Sequence, residues 1–147
     1  MNNAPSFPQQ HSTQTASTNA GLTELVLAQG AASSWSMILP MVAHLCRQDS
    51  QRWLTWVTSE PLPAELLISF GIDPLRLRQV HCRDSDQQLW VTWDALELGN
   101  SHTVIASPGA LSQGQERYLE QAAYAGNSQA LILRYGESSP TSNARAE

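Results

Sequence analysis

Five short runs rich in aliphatic and β-branched residues alternate with stretches of helical spacing, and this alternation limits the fold more than any other feature of the chain. The strand-like runs are "TELVLAQ" (23–29), "RWLTWVTS" (52–59), "PLRLRQVHC" (74–82), "HTVIAS" (102–107) and "QALILRY" (129–135). Between them, apolar residues at Trp35, Ile38, Leu39, Val42, Leu45 and Cys46 form a 3.6-residue stripe, followed in later gaps by "AELLISFG", "SDQQLWVTWDALELG" and "SQGQERYLEQAAYAG". A helix in every gap returns the chain to begin the next strand in the same direction. The reading is therefore an α/β fold: a single three-layer domain with a mostly parallel five-stranded sheet and right-handed crossovers placing helices on both faces. "ELVLA" and "ALILRY" read as central strands, and "LRLRQV", alternating Leu with Arg, as a strand near the edge that shows Arg76 and Arg78 outward.

Local signals punctuate the pattern. Pro40 falls inside the first helical stretch, which predicts either a kink or a helix that starts only near Leu39. Gly71, Gly99 and Gly126 close the later helices, and Ser112 with Gln115 forms a capping box. Residues 1–21 are polar, nearly uncharged and without apolar period, and 136–147 are similar, so both read as disordered flanks of a domain over 22–135. No signal peptide or membrane-spanning run stands out, and Cys46 and Cys82 read as buried free thiols, so the expected location is the cytoplasm.

The stretch from Leu25 to Cys46 has the strand, loop and helix order of a nucleotide-binding P-loop. With Gly30 as the first glycine, however, Trp35, Ser36 and Met37 stand where the second Gly, the Lys and the Ser/Thr belong, and the chain contains no lysine. NTP hydrolysis lacks its machinery there, although an anion could still meet backbone donors at the Gly30 loop. The formal charge of −5 argues against general nucleic-acid binding.

Catalytic groups are equally sparse. His81 and Cys82 are adjacent on a strand and point to opposite faces, while His44 and Cys46 diverge on a helix. The four have no metal-site spacing, Ser101–His102 lacks the nucleophile elbow, and Asp84, Asp86 and Asp94 fit a helix start or outer face. An enzyme is not expected, and neither a cofactor nor a metal is called for. A binding surface remains: five tryptophans are many for this length, and Trp and Arg anchor interfaces. Arg52 and Arg76 are the candidates for pairing with a partner carboxylate, and a surface Arg52→Ala is expected to change stability by less than ~1 kcal/mol.

Several short motifs in succession resemble the SulA family of SOS-induced cell-division inhibitors. They are "ELV" at Glu24 to Val26, Leu39-Pro40, "RW-x-x-W-x-T" at Arg52, Trp53, Trp56 and Thr58, then Gly71 and Gln79-Val80. "GN-S-x-x-VI" from Gly99 to Ile105 and "AA-x-x-GN" from Ala122 to Asn127 complete the series across residues 22–135. The resemblance implies a fold similar to RecA-like domains without a functional nucleotide site. It further implies stoichiometric binding of FtsZ, the tubulin-like GTPase, with its polymerisation and GTP hydrolysis both blocked. Carried onto this sequence, the partner-binding surface comprises Arg52, Val57, Leu66, Leu67 and Arg76; relatives can carry an aromatic at Leu66 and a Lys at Arg76. The resemblance also implies degradation by the Lon protease through the C-terminus, here the short polar "SSPTSNARAE", and self-association as a homodimer. The competing reading is a degenerate RecA-like protein that binds nucleotide or assists DNA repair.

Overall fold

The structure, a computed structural model, describes residues 20–27, 31–49 and 51–135, with only the backbone described at 31–35. The readings for the two termini and for Gly30 lie outside these residues. Strands β1 (Gly21–Leu27), β2 (Trp53–Thr58), β3 (Leu77–His81), β4 (Ser101–Ala106) and β5 (Gln129–Tyr135) form one sheet, all parallel, in the order β1-β5-β4-β2-β3. Helices α1 (Ala31–Gln48) and α2 (Ala64–Ser69) pack on one face; α3 (Ser85–Leu98) and α4 (Gln113–Ala125) pack on the other. The chain moves outward from β1 to β3 and back from β4 to β5, and right-handed crossovers turn that reversal into two helical layers.

Each face has its own core. Ile38, Leu39, Val42 and Cys46 of α1 and Leu67 of α2 meet Leu54, Trp56, Ile105, Leu131 and Leu133 of the sheet. Opposite, Leu96, Leu119, Ala122 and Ala123 meet Val57, Val104, Ala130 and Ile132. All six residues of β4 are buried, as the middle strand requires. Both cysteines are buried and free.

Three expectations change. Of the two alternatives at Pro40, the helix starting only near Leu39 is overturned: α1 is already helical at Ala31 and carries Pro40 on its exposed side, opposite the buried stripe that holds it to the sheet. β1 is an edge strand rather than a central one. Its apolar residues reflect cover on both faces, with Leu22 and Leu25 packed against opposite cores, but one row of backbone groups is unpaired within the sheet and Val26 is exposed. Arg76 lies in a 3-10 turn (Pro74–Arg76) ahead of β3 rather than on the strand; β3 itself is at the edge, as its alternation predicts.

The capping box of Ser112 and Gln115 forms, and Gly71 and Gly99 adopt left-handed backbone. Gly126 closes its helix for another reason. Its φ of −94° is open to any residue, but a Cβ there would lie 1.8 Å from the Leu96 carbonyl oxygen. The bare backbone is what lets the ends of α3 and α4 touch. Gly126→Ala should therefore cost about 3 kcal/mol or more in unfolding free energy, a clash the core cannot relax. Gly71→Ala, with open space around it, should cost only about 1 kcal/mol of backbone strain. Urea denaturation of both variants checks the ranking.

Candidate partner-binding surface

At the amino ends of β2 and β3 the structure assembles a cationic and apolar surface. α1 ends at Gln48, and the Asp49 carboxylate that follows caps the turn, accepting from the N–H groups of Gln51 (2.8 Å) and Arg52 (3.2 Å). The same carboxylate accepts from Arg52 Nε at 3.1 Å, and the Asp49 carbonyl accepts from Arg76 Nη2 at 3.3 Å. One residue thus registers both arginines. Burial pushes the Asp49 carboxyl upward, but the Gln51 N–H, the Arg52 side chain and N–H, and the guanidinium charge together hold it below the usual carboxylate value.

Arg52 is only half-exposed, and its Nη1 turns inward. It donates to the Asn127 carbonyl at 2.8 Å, with the Gly126 and Gly99 carbonyls at 3.4 and 3.5 Å. These oxygens belong to the C-terminal ends of α3 and α4, where helix dipoles leave partial negative charge. Arg52 is a tether as well as a surface cation, so Arg52→Ala should cost about 2 kcal/mol rather than the small loss expected of a solvated arginine.

Beside it, Arg78 crosses from the edge strand to donate through Nη2 to Thr55 Oγ1 (3.1 Å), Ser101 Oγ (3.3 Å) and Asn100 Oδ1 (3.3 Å). Its guanidinium carbon lies 5.9 Å from the centre of the Trp53 ring, within cation-π range. A register shift between β2 and β4 places the extra residue, His102, next to this cluster. Burial lowers the His102 pKa; Asp49 opposes the shift, and Arg52 and Arg76 reinforce it, so the ring is neutral at pH 7.

The apolar component differs from the expected one. Val57 is fully buried and faces α3 and α4, whereas Leu67 is buried beneath α2 on the opposite face of the sheet. Both side chains are covered in this structure, and the sheet separates them. Leu66 is half-buried against the α1 core. By strand parity Val57 shares a face with Trp53, but only Trp53, at the strand end, extends beyond the covering helices. The exposed residues are Trp53 (41%), Ile68 (58%) and Leu75 (80%). Trp53 and Leu75 line a shallow depression of about 200 Å³ with Gln51, Arg52 and Arg76. Ile68 lies on α2, which packs against the 3-10 turn carrying Leu75. Helical spacing around buried Leu67 could have exposed Ile68, and the Pro74 turn could have exposed Leu75; Asp49 carried no sequence signal.

Among the described residues no cluster of three or more His, Cys, Asp or Glu side chains could hold a metal. No helix among them is long and apolar enough to cross a membrane. His81 Nε2 lies 2.6 Å from the Ser59 carbonyl while Cys82 is buried, so the two form no dyad.

No family model matches the chain. A curated relative does: the cell division inhibitor SulA of Pseudomonas aeruginosa is 30% identical over 118 residues, covering 80% of this chain and 73% of that protein. The chain belongs to the SulA family. The crystal structure of SulA from Pseudomonas aeruginosa superposes with a TM-score of 0.71 at 30% identity, covering 78% of this chain and 98% of the solved one. Membership of the SulA family matches the five-stranded α/β architecture read from strand and helix alternation.

Two measurements test the Asp49 frame. In a double-mutant cycle, Asp49→Ala and Arg52→Ala should be non-additive in unfolding free energy by about 1 kcal/mol. Additivity would mean that the carboxylate and the guanidinium act separately. Because the carboxyl value is lowered in the folded state, its contribution is present above the unfolded value of ~4 and disappears as pH falls through the folded value. The stability gap between the wild type and Asp49→Asn should accordingly be flat from about pH 5 to 7 and close in acid.

Proposed function

We propose that this protein is a cell-division inhibitor of the SOS response that binds FtsZ one to one, preventing both its polymerisation and its GTP hydrolysis. The observation that carries the reading is the alignment over 118 residues with a protein named as a cell division inhibitor, matched in fold by a solved SulA. The surface at the amino ends of β2 and β3 is the one we assign to the partner. Trp53, Ile68 and Leu75 would lose apolar area to it, and Arg76, with the outer edge of Arg52, would pair with its carboxylates. Exposed Trp and Arg around a depression are the usual composition of an interface centre. Val57 and Leu67 support that surface from within.

Inhibition here is occupancy rather than chemistry: a bound inhibitor covers the face on which the next FtsZ subunit would dock. A subunit that cannot add to a filament cannot complete the GTP site shared with its neighbour, so assembly and hydrolysis stop together.

The test is FtsZ GTP turnover against increasing concentrations of this chain, with Leu75→Asp and Arg76→Ala in parallel. Turnover should fall towards zero near equimolar protein. Each variant should need at least tenfold more protein, roughly 1.4 kcal/mol of binding, while its stability stays within about 1 kcal/mol of wild type. Unchanged turnover with the wild type would sink the reading. Saturable ATP or GTP binding by the purified chain would instead favour the nucleotide-binding alternative.

A further inference from the structure

The outer face of α3 and α4 carries a second surface, away from the one above. Trp90 (62% exposed) and Tyr118 (53%) stand over a groove of about 340 Å³ whose floor includes Leu89 and Leu119. Trp93 lies between them, edge-on to Trp90 at 6.1 Å and stacked on Tyr118 at 5.6 Å with 16° between planes. Asp86 lines the groove in the first turn of α3. Trp93 is partly buried against the core, but Trp90 and Tyr118 beside it leave more than half their surface in water, an arrangement rarely left uncovered.

Charge indicates what would cover them. From Arg83 to Glu120 the chain carries six of the eleven carboxylates found among the described residues but only two of their seven arginines. The remaining described residues are electrically balanced, so the net negative charge of the described residues sits on this segment. A second copy docked face to face would bring two such acidic surfaces together, which opposes that arrangement. A cation over the negative faces of indole and phenol rings, with a carboxylate at its side, is attracted by both.

We infer that the α3–α4 groove is a docking site for a partner-protein segment that carries arginine or lysine beside apolar side chains. The apolar residues enter between Trp90 and Leu119, and the basic group lies over the Trp93–Tyr118 stack within reach of Asp86. The groove occupies the first turns of α3 and α4, at the carboxyl ends of the strands, whereas the Arg52 surface lies at their amino ends. Both can be filled at once. The inference is independent of FtsZ binding.

The probe is a synthetic amphipathic peptide of leucine and arginine, titrated into the full chain by calorimetry, beside an equally apolar peptide with glutamate replacing each arginine. The arginine peptide should bind saturably at one site, and Trp90→Ala and Asp86→Asn should each weaken it at least tenfold. Tyr118→Phe, which keeps the ring, should bind as the wild type does. Far-UV circular dichroism identifies any variant that fails to fold, in which case the Asp86→Asn and Tyr118→Phe pair decides. Absence of saturable binding, equal affinity of wild type and Asp86→Asn, or equal binding of the glutamate peptide would overturn the inference.

Discussion

Two helices on one face of the sheet end side by side at the amino end of β2, and their terminal carbonyls converge there because Gly99 and Gly126 allow the backbones to touch. Converging carbonyls repel one another unless a cation meets them, and Arg52 supplies it. That contact ties the first residues of β2 to the last turns of α3 and α4. Asp49 holds the guanidinium from the other side and holds Arg76 as well. The proposed partner surface is built around this arrangement, so the residue that stabilises the fold and the residue that faces a partner are partly the same.

This double role bears on how variants are read. Loss of inhibition in an Arg52 variant would mix a binding effect with loosening of two helix ends, whereas Leu75, 80% exposed, reports on binding alone. A buried histidine at the register shift adds a further constraint: neutral His102 avoids placing another positive charge beside Arg52 and Arg76.

Much of the architecture was legible in the sequence because parallel α/β folds repeat one rule: an apolar strand, a crossover helix, another strand. The order of strands was not. "ELVLA" reads as central because both its faces are covered, and nothing in local composition tells a strand covered on both faces from one that also has two neighbours. The site was only half legible. Arg52 and Arg76 carry a type signal, since a guanidinium on an acidic protein offers selective pairing with a partner carboxylate. Val57 and Leu67 carry only hydrophobicity, which a core and an interface share. Exposure at Trp53 depends on where the helices stop covering the sheet, a tertiary fact, whereas helical spacing around Leu67 and the Pro74 turn carried a signal for Ile68 and Leu75. The Asp49 frame depends on backbone atoms that no side-chain pattern records.

In the proposed complex the amino ends of β2 and β3 face FtsZ. Hydrogen exchange of the full chain, free and bound to FtsZ, followed by peptide analysis, addresses this placement most directly. Exchange should slow on binding across Ile68 to Arg76 and around Gln51 to Trp53, with Ser85 to Leu98 unchanged. Slowing confined to α3 and α4, with 68–76 exchanging as in the free protein, would contradict that placement.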